Sequence, residues 1–157
     1  MRRAVLLVSL ALASTARATP FRLAGGHVNY GIGGGTGAPS GAWHFVDLGV
    51  ATGWLVSEAN RDGLFETDSG LILTGSIVSG LGTYPTFVNI GVGQGISGIL
   101  GGSATLDLVT RVDPDPTMGL GVHLTADLVG IQSTFRIMVV GLDTQLVAMW
   151  TVGFGRF

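Results

Sequence analysis

Large aliphatic residues alternate with small or polar ones along most of this chain. That period of two admits strands with two unlike faces and little else. The alternation is clearest near the end. There Leu146, Ala148, Trp150, Val152 and Phe154 fall on one face, and Thr151, Gly153 and Gly155 on the other. It recurs upstream. Leu120, Val122, Leu124, Ala126 and Leu128 oppose Gly119, Gly121, His123, Thr125 and Asp127. Ala104, Leu106, Leu108 and Val112 oppose Ser103, Thr105, Asp107 and Arg111. His44, Val46, Leu48, Val50 and Trp54 oppose Asp47, Gly49, Ala51 and Gly53. Phe135, Ile137 and Val139 oppose Thr134 and Arg136, and Val88, Ile90 and Val92 oppose Asn89, Gly91 and Gly93. Val28, Tyr30 and Ile32 oppose His27, Asn29 and Gly31, and Leu71, Leu73 and Ile77 oppose Glu66, Asp68, Thr74 and Ser76.

Breakers divide the pattern into eight predicted strands. These run from Phe21 to Gly33, Ala42 to Val56, Leu64 to Ser79, Tyr84 to Ser97, Ser103 to Val112, Met118 to Gly130, Thr134 to Leu142 and Gln145 to Phe157. The glycine-rich stretch 33–41, the polar stretch 57–63 and Asp113-Pro114-Asp115-Pro116 cannot continue a ladder and read as connections. Gly98 to Gly102 reads as a further turn.

Composition decides which face points where. Charged residues make up 11% of the chain, against roughly 25% in an ordinary globular domain. The polar face is mostly Gly, Ser and Thr with single charges, too small and too sparsely charged for a solvated exterior. It suits a crowded lumen, and an eight-stranded barrel has a lumen just wide enough for side chains to fill. The Leu/Val/Ile face would then meet lipid. The fold predicted is an all-β, eight-stranded, antiparallel up-and-down transmembrane β-barrel. Most aromatics fall near predicted strand ends: Phe21, Tyr30, Trp43, Phe45, Trp54, Phe65, Tyr84, Phe87, Phe135, Phe154 and Phe157. Those positions suggest two interfacial girdles, with Trp150 in mid-strand as the exception.

Residues 1–18 stand apart. Arg2 and Arg3 precede an apolar run from Ala4 to Ala13, and Ala16-Arg17-Ala18 offers small residues at a cleavage point. This reads as a secretory signal peptide, leaving a barrel domain at 19–157. That domain has five arginines, no lysine and ten acids, a formal charge of −5. It lacks the clustered basic residues of a nucleic-acid binder. The chain has no cysteine, so disulfides contribute nothing.

The ending Gly153-Phe154-Gly155-Arg156-Phe157 resembles the C-terminal sorting signal of bacterial outer-membrane β-barrels, which finish on an aromatic, usually Phe. The places two and four before the final Phe are Gly155 and Gly153 rather than apolar residues, so either a bulge at these glycines carries Phe157 to the greasy face or the match to the signal is a loose one. The resemblance implies an outer-membrane location, insertion by the barrel-assembly machinery, and both termini on the periplasmic side. The connections on the other side, 33–41, 80–83, 113–117 and the turn near Asp143, are all short.

The polar lumen set predicted on this reading centres on Asp47, Asp107, Arg111, His123, Asp127 and Arg136, with His27, Asn29, Glu66, Asp68 and Asn89. Buried charges must pair, so Arg111 and Arg136 are expected partners of Asp107, Asp127 or Asp47. The bland role is an ion-pair plug and the sharp one a narrow hydrophilic path or gate. His123 and Asp127, four residues apart in a strand, stand ~13 Å apart and form no dyad. A metal site from His27, His44 and His123 needs convergence, and His44 is predicted outward. Neither a Gly-x-Ser-x-Gly elbow nor a His-x-Ser-Asn-like cluster of the deacylase type occurs. Gly31-Ile32-Gly33-Gly34-Gly35 lacks the lysine of a phosphate loop and the helix it would need to precede. No cofactor, metal or catalytic activity is therefore expected. The function expected is a non-catalytic envelope barrel, with a lumen plugged or open only to very small solutes. The alternatives are a secreted, soluble, lipocalin-like barrel for an apolar ligand and an outer-membrane enzyme acting on lipid.

Overall fold

The computed structural model describes residues 21–36, 41–59, 66–113, 115–141 and 144–156. The predicted signal peptide, Phe65, the turn at Asp143 and the terminal Phe157 lie outside the described residues. Eight strands follow one another: β1 (Phe21–Gly35), β2 (Trp43–Ala59), β3 (Glu66–Gly80), β4 (Phe87–Ser97), β5 (Leu100–Arg111), β6 (Thr117–Leu128), β7 (Ile131–Val140) and β8 (Gln145–Arg156). Each pairs antiparallel with its neighbours in sequence, and β8 returns to β1, so the sheet closes into an up-and-down barrel. No helix among the described residues is long and apolar enough to cross a membrane, which says nothing of strands.

The ladders fix the shape of the barrel. Partner by partner, Gly25 leads through Ala51, Thr74, Gly91, Asp107, Gly121, Met138 and Val147 back to β1 at Gly35, ten residues further on. With eight strands about 4.8 Å apart and a rise of about 3.3 Å, that stagger tilts the strands by about 40°. The ladder of β1 on β8 runs in register from Gly35↔Val147 to Gly26↔Arg156. Of the two alternatives at Gly153 and Gly155, the ladder therefore shows no bulge; the irregularity in β1 lies between Leu23 and Gly25, against β2.

Strand limits differ from those predicted where turns are tighter. Gly101 and Gly102 belong to the β5 ladder, opposite Asp127 and Ala126, so the β4–β5 turn is narrower than the glycine run suggested. The β6–β7 hairpin closes through only Val129 and Gly130, at φ 51° and 87°, with Leu128 opposite Ile131. Positive φ at both central positions is the hairpin geometry that favours Asn-Gly, and a β-branched residue is strained there. Val129→Asn is expected to raise stability by about 1 kcal/mol, read as a higher urea midpoint of unfolding.

The alternation sorts side chains as its phase requires. Along β6, every second residue from Gly121 to Asp127 is buried, and Leu120, Val122, Leu124 and Leu128 are exposed. Glycines on the inner wall make room for larger inward neighbours. A Cβ at Gly49 would overlap the His27 ring, and one at Gly91 the Asp107 carboxylate.

The lumen is layered. At the end that carries the β1–β2, β3–β4, β5–β6 and β7–β8 connections, Trp43, Phe45, Val78, Phe87, Val109, Met138, Val140, Val147 and Met149 form one buried cluster, with Tyr84 packed against it. Trp43 stacks on Tyr84 at 5.9 Å and meets Phe45 edge-on at 6.1 Å. Trp43, Phe45 and Phe87 are fully buried inside the barrel and belong to no outer girdle, which corrects their predicted place. They share the inward parity of Asp47 and Asn89 on their own strands. Phe21, Tyr30, Trp54, Phe135, Trp150 and Phe154 are the exposed outer aromatics. Polar side chains fill the middle of the lumen, and Ala51, Leu55 and Ile72 form a smaller apolar cluster toward the other end.

Candidate functional site

The middle layer is built from inward positions of all eight strands, and two carboxylates organise it. Asp47 on β2 is 0% exposed and faces Arg136 on β7 across the lumen. The guanidinium donates through Nη2 to both carboxylate oxygens, at 3.1 and 3.2 Å, and through Nη1 to Ser76 Oγ at 2.7 Å. His27 Nε2 stands 3.1 Å from Asp47 Oδ1. This is ion-pair distance, and among the described residues Nε2 has no hydrogen-bond partner. Asn89 donates to Ser76 and extends the cluster to β4.

The second carboxylate, Asp107 on β5, accepts a hydrogen bond from Thr105 Oγ1 at 2.6 Å and lies 3.6 Å from His123 Nδ1. The other ring nitrogen, His123 Nε2, is 2.7 Å from Thr125 Oγ1, which reaches on to Thr134. Asn29 Nδ2 donates to Gln132, Thr134 and Thr151 and ties β1 to β7 and β8. The strands hold these groups rigidly, because each lies on the inner face of a ladder paired on both sides.

Asp107, His123 and Thr125 stand in the order acid, base, hydroxyl, the arrangement of a nucleophile relay. Their surroundings decide what it can do. The cavity lined by His27, Ser76, His123, Thr125 and Gln132 measures about 10 Å³, room for about one water and no substrate. Thr125 is itself buried. The Asp47–Arg136 pair neutralises buried charge across the lumen.

The six residues of the predicted lumen set separate. Asp47 and Arg136 meet directly, and Asp107 and His123 meet across β5 and β6. Asp127 is buried on β6 against Gly101, toward the end away from the aromatic cluster. Arg111 departs from expectation. It lies where β5 emerges beside the aromatic cluster, and donates to the Asp115 carbonyl and to Gln145 Oε1 rather than to a lumen carboxylate. Asp68 accepts a hydrogen bond from Ser57 Oγ near the opposite end, and the side chain of Glu66 is outside the described residues. Ser76, Thr105, Thr125, Gln132, Thr134 and Thr151 complete the network without having been singled out. Inward parity is the signal for all of them but Gln132, which lies before the predicted start of its strand at Thr134 and inside the observed β7. His44 is exposed on the outer wall, remote in direction from His27 and His123.

Comparison with protein-family models, with curated proteins and with solved structures finds no match.

Proposed function

We propose that the protein is an integral outer-membrane β-barrel with a structural or envelope-interaction role, a closed lumen and no catalytic activity. The observation that carries this reading is the outer wall. Leu106, Leu120 and Ile90 are 67%, 69% and 64% exposed, and comparable aliphatic residues surround the barrel. Among strand residues whose exposure is described, Arg156 is the only Asp, Glu, Lys or Arg that is exposed. Water-facing proteins rarely show an apolar patch beyond a few hundred Å². On β6 the exposed apolar positions run from Met118 to Leu128, ten residue steps. At the tilt above they span about 25 Å, the height of the apolar band on outer-membrane barrels.

Polar atoms on this wall support the same reading. Tyr30 Oη and His44 Nδ1 are 2.7 Å apart, and Trp150 Nε1 donates to Ser133 Oγ at 2.8 Å. A group facing hydrocarbon has no water to bond and must find a protein partner. For the lumen, the aromatic cluster fills one end and the charges below it are paired, which favours a plug over a path. The resemblance at the C-terminus adds the compartment and the expectation of machine-assisted insertion.

Membrane fractionation with a gel of unheated and boiled samples tests the reading. The protein is expected in the membrane fraction, to need detergent for extraction and to shift in mobility on boiling. In planar bilayers it is expected to give no conductance steps. Recovery in the soluble fraction with no shift on boiling would overturn the reading and favour a soluble barrel that binds an apolar ligand.

A further inference from the structure

We infer that the β4–β5 and β6–β7 turns are membrane contacts, seated where acyl chains meet headgroups, while the β2–β3 side of the same rim stands in water. The inference rests on the wall being lipid-facing. All three connections lie at the end away from the aromatic cluster. Gly98 and Ile99 join β4 to β5, and Val129 and Gly130 join β6 to β7. Turn tips in water are mostly Gly, Asn, Asp, Ser and Pro. Here Ile99 and Val129 are 52% and 77% exposed, and Leu100, Leu128 and Ile131 beside them are exposed wall residues. The apolar wall therefore runs on over both tips, and no residue from Ser97 to Leu100 or from Leu128 to Ile131 is charged.

The backbone of these turns suits a lipid contact. The Ile99 carbonyl accepts from the Val129 amide at 3.2 Å, and the Gly130 carbonyl from the Gly155 amide at 3.0 Å. Hydrocarbon solvates no free carbonyl, so turns whose carbonyls bond the next element can lie at its edge. Arg156 fixes the depth. It is exposed and follows Gly155, one residue beyond the level of the β6–β7 turn. An arginine lays its stem along apolar surface and keeps its charged head among polar groups, which sets the headgroups just past Val129.

The third connection is built otherwise. Trp54 is the last β2 residue with a β1 partner, and Leu55 to Ala59 pair with β3 alone among the described residues. Those five steps carry β2 about 12 Å farther along the barrel axis at the tilt above. Ser57 is exposed there. The sequence of this stretch holds Glu58, Arg61, Asp62, Glu66 and Asp68. Charge at that density is costly to take out of water. One rim thus has an apolar side and a charged side. The bilayer, continuous with the wall, is the partner that the apolar side fits.

Single cysteines carrying a fluorophore, in the protein reconstituted into lipid vesicles, test this. The chain has no cysteine of its own, so each label reports one position. Quenching by iodide, present on both sides of the membrane, is compared with quenching by phospholipids that carry a nitroxide near the headgroup. Labels at Ile99→Cys and Val129→Cys are expected to be quenched several-fold more by the lipid nitroxide than by iodide. A label at Ser57→Cys is expected to show the reverse, with the boiling shift retained in every variant as a check of folding. Iodide quenching at residues 99 and 129 equal to that at 57 would overturn the inference, as would lipid quenching at all three. Leu106→Cys, in mid-wall, tells the two readings apart. A label there that iodide reaches would sink the lipid-facing wall itself, whereas a shielded label at 106 with iodide-accessible tips would overturn the inference alone.

Discussion

Replacing Arg136 with Met is expected to cost the folded barrel about 3–5 kcal/mol, because it strands a buried carboxylate. Asp47 is 0% exposed, and both its oxygens accept from the Arg136 guanidinium. Among the described residues, only His27 remains at ion-pair distance once Arg136 is gone. Ser76 Oγ loses its guanidinium donor as well. The pair as a whole is worth far less than either half left alone, since both charges lose their hydration on entering the lumen. The double variant Asp47→Leu/Arg136→Met is therefore expected to recover most of the loss. Urea unfolding in lipid vesicles measures both. A single-variant cost below about 1 kcal/mol would mean that water solvates the middle layer and that the lumen is not closed.

Trp43→Ala is expected to lower stability by a similar amount, about 3–5 kcal/mol, through a different term. Trp43 is fully buried in the aromatic cluster, between Tyr84 and Phe45. Removing the indole leaves a cavity walled by apolar side chains, and such a cavity stays dry. The variant is therefore expected to unfold at lower urea yet remain silent in planar bilayers. Conductance appearing with this one substitution would show that the cluster is a thin gate rather than a packed layer.

The strands were legible because one parity is greasy and the other is small along nearly the whole chain. The phase of β3, which wavers between Leu71 and Ile77, is held by Ile72 and Val78 pointing inward. Trp43, Phe45 and Phe87 lie inside because parity, and not nearness to a strand end, decides the face of a strand residue. Their positions two and four residues before Asp47, and two before Asn89, already put them inside. The pairing of Asp47 with Arg136 was among those anticipated, but no local spacing could choose it over Asp107 or Asp127. Residues 47 and 136 lie on β2 and β7 and meet only across the closed barrel. The hydroxyls of Thr105 and Thr125 carry no charge to draw notice. Their roles follow from standing two residues from Asp107 and His123 on the same inner face. Arg111 has lumen parity, yet the end of β5 places it next to Asp115 and Gln145.

The seam between β1 and β8 sets the order in which this molecule can assemble. Tyr30 pairs with Val152 and Ile32 with Trp150, contacts between opposite ends of the chain. Every other ladder joins strands adjacent in sequence and can form as a local hairpin. The closing contact carries the largest loop entropy and comes last. Until it forms, the sheet has two free edges, each a template for pairing with another chain. Shielding those two edges until β8 arrives would therefore raise the yield of this barrel.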